Sequence, residues 1–204
     1  MSTFSLLDIR YLKPADILVS TTNALVSTII RTGTHSVVSH AMLYLGEGKV
    51  IEAVGEGVKI SELQNNINSH GYKNVTAFRY PSLSSEKAAI VVAYALKKNG
   101  KKYDYRGLIG GAENSDPLYV RSNPIALATN PMTMISFGEQ MIVRHFAQKG
   151  TFNDPDKYFC SELVFEAYER SNVRLISDPA YMSYPQQVID LGNRGILNYL
   201  GNLN

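Results

Sequence analysis

The chain has 204 residues, of which 45% are apolar and 19% charged, and its formal net charge is +2. These values are typical of a globular protein, and a chain of this length can bury a sizeable core without disulfide bonds. Its 20 basic residues are scattered along the sequence, which argues against a nucleic-acid-binding function. The single cysteine excludes an internal disulfide and a multi-cysteine zinc site.

The N-terminal residues 1–5 show no basic segment followed by an apolar run, so the sequence predicts no signal peptide. No stretch reaches the roughly 18 apolar residues that a transmembrane helix needs. We therefore expect a cytoplasmic protein. Export by a secretion system that needs no signal peptide is also compatible with the sequence.

The first half of the chain alternates between strand and helix patterns. Period-2 and all-apolar runs predict strands over residues 17–19, 37–45, 49–54, 58–60 and 75–80. The 37–45 strand is apolar on both faces, so we expect it to be central in the sheet. Ser20 or Thr21 is predicted to cap a helix that runs through residue 30, and Ser84 or Ser85 a helix that runs to about Lys98.

The second half holds a long region without a regular pattern. We treat residues 1–204 as a single domain with an insertion or lid at about 106–150, because long loops in compact domains are usually functional. Within it, a helix from Asn130 is predicted to carry Met134, Met141 and Phe146 on one face. This face is either core packing or a pliable lid or groove for a hydrophobic substrate. A last short helix is predicted over 183–191.

Cys160 opens an apolar stripe with helical spacing, and Asp154–Pro155 upstream predicts the start of that helix. A thiol in the first turn of a helix meets the positive end of the helix dipole, which favours the reactive thiolate. The alternative is an inert, buried cysteine, since free cysteine is among the most buried residue types.

A nucleophilic cysteine needs a base, and the base needs an orienting group. The chain offers four histidines: His35, His40, His70 and His145. His40 lies at the start of the predicted central strand, where the backbone holds a side chain more precisely than a loop does. It is therefore the best candidate for the base. The alternative is that His40 is a core histidine with satisfied hydrogen bonds and no catalytic role.

Glu52 is the candidate orienting group because it interrupts the apolar return strand of the hairpin. If Gly46–Gly48 forms a three-residue loop, Met42 pairs with Glu52, and Glu52 then lies diagonal to His40 on the same face. A two-residue loop would shift the register by one and turn Glu52 away. The alternative is that Glu52 simply faces solvent.

These pieces together resemble the YiiX-like group of permuted NlpC/P60 papain-fold proteins. The resemblance rests on five segments in this order: Lys13–Leu18, Ser39–Tyr44, Val50–Ala53, Gly100–Tyr105 and Tyr158–Val164. Papain-like enzymes ordinarily place the cysteine helix before the histidine strand, whereas here the cysteine comes last, as in a circular permutation. One departure is Ala15–Asp16, where the family often has Gly-Asp.

The resemblance implies an α+β fold in which an antiparallel sheet packs against helices, including the helix of the nucleophile. It implies Cys160 as nucleophile, His40 as base and Glu52 as the group that orients His40. Three further residues fall within or beside family-like motifs and are expected to line the substrate site: Tyr158, Tyr103 and Asp16. We expect no cofactor and no metal.

The resemblance further implies a cysteine-dependent amide hydrolase that forms a thioester, acting on peptide or peptidoglycan-type amides. One alternative is an acyltransferase or lipid-amide hydrolase of the same fold, and another is a binding module without catalysis. If the protein is a secreted toxin that attacks peptidoglycan, an immunity protein would be its partner. The sequence does not select among the substrates.

Overall fold

The computed structural model describes residues 6–22, 37–69, 71–104 and 156–203. In these ranges the strands are β1 (Ile17–Thr22), β2 (His40–Gly46), β3 (Lys49–Val54), β4 (Gly57–Glu62), β5 (Tyr72–Arg79), β6 (Lys102–Tyr103), β7 (Lys157–Tyr158) and β8 (Asn198–Leu203). The α-helices are α1 (Leu63–Asn68), α2 (Ser85–Lys97), α3 (Cys160–Arg170) and α4 (Gln186–Asn193). Two short 3₁₀ turns cover Ile9–Tyr11 and Ala180–Met182.

Six strands form one antiparallel sheet in the order β4-β3-β2-β1-β5-β8. The predicted central position of β2 is confirmed, because β2 lies between β3 and β1. β6 and β7 form a separate parallel pair. The α+β class, with helices packed on an antiparallel sheet, is confirmed.

Two apolar clusters cover the two faces of the sheet. The larger combines one face of the sheet with residues of α2, α3 and α4, and α3 contacts both β2 and β3. The smaller covers the opposite face with Leu63 of α1 and Leu12 near the N-terminus. Leu18, Met42 and Val50 are completely buried in this second cluster. Because both faces are covered, polar side chains within β2 and β3 must find partners inside the protein.

The β2–β3 hairpin has the register that was predicted for a three-residue loop, although its turn differs. Leu43 pairs with Ile51 and Tyr44 with Val50, a register that brings Met42 opposite Glu52. The turn itself is shorter, because Gly46 pairs with Lys49 and the register shifts between Tyr44 and Gly46. This irregularity restores the register that a plain two-residue loop would have lost.

Two predicted helix starts were wrong. Ser20 and Thr21 do not cap a helix, since both continue β1, in which Ser20 pairs with His40 and Thr21 with Lys73. The helix of Cys160 begins at Cys160 itself, because the preceding residues of β7 are extended and pair with β6. In both places strand pairing over a long sequence distance outweighs the local capping signal.

The other helix predictions agree closely with the structure. The Ser84 hydroxyl caps α2 by accepting from the Lys87 N–H at 3.2 Å. The last helix runs over Gln186–Asn193. α1, the β6–β7 pair and β8 were not predicted. Several predictions lie outside the described residues: residues 23–30 of the first predicted helix, the insertion at 106–150 with its Met-rich helix, and His35, His70 and His145.

Candidate active site

Cys160 is the first residue of α3, and its helix begins where an extended backbone ends. Phe159 precedes it with φ −106° and ψ 171°, and the Phe159 N–H donates to Glu162 Oε2 at 3.3 Å. This bond satisfies one N–H group that the start of a helix would otherwise leave unpaired. The thiol is 1% exposed and faces the positive end of the helix dipole.

His40, the first residue of β2, connects the thiol to an acid. Its Nε2 lies 2.6 Å from Glu52 Oε2, and its side chain also interacts with Cys160. Since Nε2 is held by Glu52, Nδ1 is the ring nitrogen left for the thiol. Burial opposes a charged imidazole, but the hydrogen bonds and charges of Cys160 and Glu52 outweigh it and raise the pKa of His40 to about 10.

Glu52 is a buried carboxylate with three hydrogen bonds. Its Oε2 accepts from His40 and from the Tyr72 hydroxyl, and its Oε1 accepts from Ser61 Oγ at 2.5 Å. Burial alone would raise the pKa of this carboxyl, but the bonds to His40, Ser61 and Tyr72 lower it to about 2. Glu52 is 1% exposed, so the alternative that it faces solvent is wrong.

Sequence reasoning missed Ser61 and Tyr72. Ser61 lies in β4 and pairs with Val50 of β3. It is therefore diagonal to Glu52 on the same face of the sheet, just as Glu52 is diagonal to His40. A predicted third strand one residue longer at its C-terminal end would have included Ser61. Tyr72 comes from β5, which is separated from β2 by β1, and no local pattern indicates that pairing.

Tyr103 and Tyr158 lie opposite each other in the β6–β7 pair and are both buried. Tyr158 directly precedes the Phe159–Cys160 segment, so this pair anchors the backbone at the start of α3. The Lys98 ammonium lies 4.8 Å from the centroid of the Tyr158 ring. Burial, together with the neighbouring Tyr94 side chain, raises the pKa of Tyr158. The substrate role of these two tyrosines stays a prediction.

Asp16 is bound within the protein through both carboxylate oxygens. Arg79 Nε lies 2.7 Å from Oδ1 and Arg79 Nη2 2.6 Å from Oδ2, while the Lys13 N–H donates to Oδ2 at 2.7 Å. The preceding residue, Ala15, has a φ of +72°, in the left-handed region where glycine is favoured. This conformation gives a physical reason for a glycine at this position in relatives. The predicted substrate role of Asp16 is not tested by these contacts.

A second buried acid lies on α3, the helix that begins at Cys160. Glu162 is 3% exposed, and burial, together with the negative charges of Asp104 and Glu166, raises its pKa to about 9 despite the bond from Phe159. A carboxyl with this pKa is protonated at neutral pH. It can still accept the Phe159 N–H bond that organises the start of α3.

Metal ligands are not grouped in the part of the chain that the structure describes. No cluster of three or more histidine, cysteine, aspartate and glutamate side chains occurs there with a geometry that could hold a metal ion. No helix among them is long and apolar enough to cross a membrane.

A sheet that carries a histidine–carboxylate pair, followed later in the chain by a cysteine at a helix start, defines a circularly permuted papain-like protein. Residues 11–109 match the model of a family described as permuted papain-like amidase enzymes, YaeF/YiiX, C92 family. The matched range contains His40 and Glu52 and ends before Cys160. Over these residues the chain is similar to this family.

Two known proteins illustrate the relationship. The chain is 32% identical over 163 residues to the "Probable lipoprotein peptidase YaeF" of Escherichia coli strain K12, an alignment that covers 78% of this chain and 56% of that protein. The crystal structure of a protein described as metalloprotein yiiX, from Escherichia coli O157:H7, superposes with a TM-score of 0.61 at 20% identity. That superposition covers 93% of this chain and 97% of the other, and supports the fold.

Proposed function

We propose that the protein is a cysteine-dependent amide hydrolase that cleaves peptide-type amide bonds through Cys160, His40 and Glu52. The observation that carries the proposal is the continuous chain of contacts from the only cysteine to His40 and on to a buried carboxylate. The similarity of residues 11–109 to a family of amidase enzymes supports it. Peptide amides come first as the substrate class because the E. coli relative is named a peptidase.

The first half-reaction forms a thioester. The Cys160 thiolate attacks the carbonyl carbon, and a tetrahedral oxyanion results, for which the N–H groups at the start of α3 are available as donors. As the C–N bond breaks, the His40 imidazolium gives its proton to the leaving amine. Glu52 keeps the imidazolium paired and holds its ring in place.

The second half-reaction hydrolyses the thioester and regenerates the free enzyme. Neutral His40 takes a proton from a water molecule that attacks the thioester carbonyl, the C–S bond breaks, and a carboxylic acid leaves. The thiolate and the imidazolium are then restored as a pair. Peptidoglycan peptides offer amide bonds of the required kind and are the substrates to test first.

The first experiment is the rate of Cys160 alkylation by iodoacetamide as a function of pH, in wild type and in His40→Ala. Since the chain has one cysteine, the label reports on that thiol alone. A small reagent is needed because the thiol is 1% exposed. We expect wild type to react rapidly at neutral pH, and His40→Ala to lose this reactivity.

A matched control is Lys59→Ala, which removes a side-chain cation from β4, where Lys59 pairs with the exposed Glu56. It should behave like wild type. Identical pH profiles for wild type and His40→Ala would exclude an activated cysteine–histidine pair and leave the buried, inert cysteine as the explanation. With the pair established, incubation with peptide amides and mass spectrometry should detect an acyl group on wild type and none on Cys160→Ala.

A further inference from the structure

We propose that Tyr72 is a positioning residue for this reaction: its hydroxyl keeps Glu52 ionised and oriented, and its ring covers the bond between Glu52 and His40. The inference deepens the proposed function and rests on it. It starts from a contact that the proposed mechanism does not use, the hydrogen bond between the Tyr72 hydroxyl and Glu52.

The direction of that bond follows from its neighbours. An ionised carboxylate only accepts hydrogen bonds, so Tyr72 must donate its single hydroxyl proton to Glu52. The Asn66 Nδ2 group lies 3.1 Å from the same hydroxyl oxygen and donates to it. Asn66 therefore fills the acceptor side of the Tyr72 oxygen and leaves its proton directed at Glu52.

The bond acts on the carboxylate oxygen that contacts the base. Tyr72 donates to Glu52 Oε2, the atom that also lies against His40 Nε2, whereas Ser61 holds the other oxygen. Two donors at Oε2 and one at Oε1 leave the carboxylate little freedom to rotate. Burial and the Glu52 charge raise the pKa of Tyr72, so the hydroxyl stays a donor throughout the neutral range.

The tyrosine ring makes a second, separate contact. It stacks on the His40 imidazole with ring centroids 5.7 Å apart and an angle of 28° between the planes. With Tyr72 9% exposed and His40 5% exposed, the aromatic face excludes water from the histidine–carboxylate bond. A dry bond of this kind is stronger and exchanges its proton more slowly.

Tyr72→Phe separates the two contacts, because it removes the hydroxyl and keeps the ring. The readout is the downfield proton resonance of His40 Nε2–H, identified by its loss in His40→Ala and followed on acidification. In wild type we expect it to persist to about pH 3, since the Glu52 pKa is about 2. In Tyr72→Phe we expect it to disappear about one pH unit higher and to exchange faster at neutral pH, since a carboxylate that loses a donor is easier to protonate.

The matched control is Tyr44→Phe. Tyr44 is a buried tyrosine of the same apolar cluster, but its hydroxyl accepts from the Gly48 N–H in the hairpin instead of contacting Glu52. It should lose some stability and leave the His40 resonance unchanged. An acidification profile of Tyr72→Phe that coincides with wild type would overturn the proposal.

If Tyr72→Phe does not fold, wild type provides the test. The hydroxyl proton of Tyr72 should then be visible as a slowly exchanging resonance with a cross-relaxation peak to the His40 ring proton, and a fast-exchanging hydroxyl would overturn the proposal. A failure of the proposed function can be told apart from a failure of this proposal, because the first would show as an unactivated thiol in the Cys160 alkylation experiment. The His40 Nε2–H resonance reports on the contacts with Glu52 and Tyr72 and does not depend on whether the Cys160 thiol is reactive.

Discussion

Replacing Glu52 with glutamine removes one charge from the site while its shape is kept. The amide oxygen can take the place of Oε2 and accept from His40 and Tyr72, and the amide nitrogen can take the place of Oε1 and donate to Ser61 Oγ, which is able to accept. The hydrogen-bond network therefore survives Glu52→Gln. What is lost is the negative charge beside the imidazole.

The size of the effect follows from the burial of the pair. His40 has a pKa of about 10, against an ordinary value of 6.5, and Glu52 and Cys160 together overcome a burial effect that acts the other way. Because the contact with Cys160 remains, we expect Glu52→Gln to lower the pKa of His40 by about two pH units, or roughly 3 kcal/mol. A charged His40 stabilises the folded protein fully at any pH below the pKa of this histidine in the unfolded chain. This stabilisation is lost as the pH rises through the pKa of His40 in the folded protein. Glu52→Gln should therefore lose it at a pH about two units lower than wild type does.

The assay is an NMR titration of the carbon-bound ring protons of His40 in wild type, Glu52→Gln and Glu56→Gln. Glu56 is the control, because its side chain is 81% exposed and pairs with Lys59 at 2.9 Å, so the same change of charge is screened by solvent. A His40 midpoint in Glu52→Gln within about half a pH unit of wild type would refute the claim that the carboxylate charge holds the imidazolium.

Two further predictions concern stability, each measured by urea unfolding. Asp16→Asn should lower the free energy of unfolding by about 2–4 kcal/mol, because it removes the negative charge that binds the Arg79 guanidinium at two points. An unchanged free energy of unfolding would contradict this prediction. Glu162→Gln should raise the free energy of unfolding at pH 7 by about 1–3 kcal/mol, because burial raises the Glu162 pKa to about 9 and the folded protein holds a proton that the unfolded chain releases. The gain should fade toward pH 4, where both states hold that proton, and an equal gain at both pH values would argue against the explanation.

Sequence reasoning succeeded for the histidine–carboxylate pair because its geometry is local. His40 and Glu52 lie on the two strands of one hairpin, and alternation along a strand determines which side chains share a face. The register then depends only on the turn. The turn was predicted as a three-residue loop and is a shorter turn with an irregularity at Leu45, yet both give the same register. Different turns can therefore lead to one arrangement of side chains.

The features that were missed depend on contacts between distant parts of the chain. Tyr72 reaches Glu52 only because β5 pairs with β1, and Ser20 is in a strand because it pairs with His40 of β2. β8 is a strand through its pairing with β5, in which Val75 lies opposite Leu203. Capping and turn signals carry no information about such pairings, so a serine before an apolar run was read as a helix start.

The same contrast explains why a permuted chain can hold this site. The histidine and the acid are set by a hairpin, the tyrosine by the neighbouring part of the same sheet, and the cysteine by a helix packed on β2 and β3. Each part obtains its position from its own contacts, so the order of the parts along the chain does not enter the geometry. It follows that the His40–Glu52–Tyr72 network should exist without the thiol. In Cys160→Ala the effects of Glu52→Gln and Tyr72→Phe on the His40 resonances should keep their direction, and their disappearance would mean that the Cys160 side chain helps to build the network.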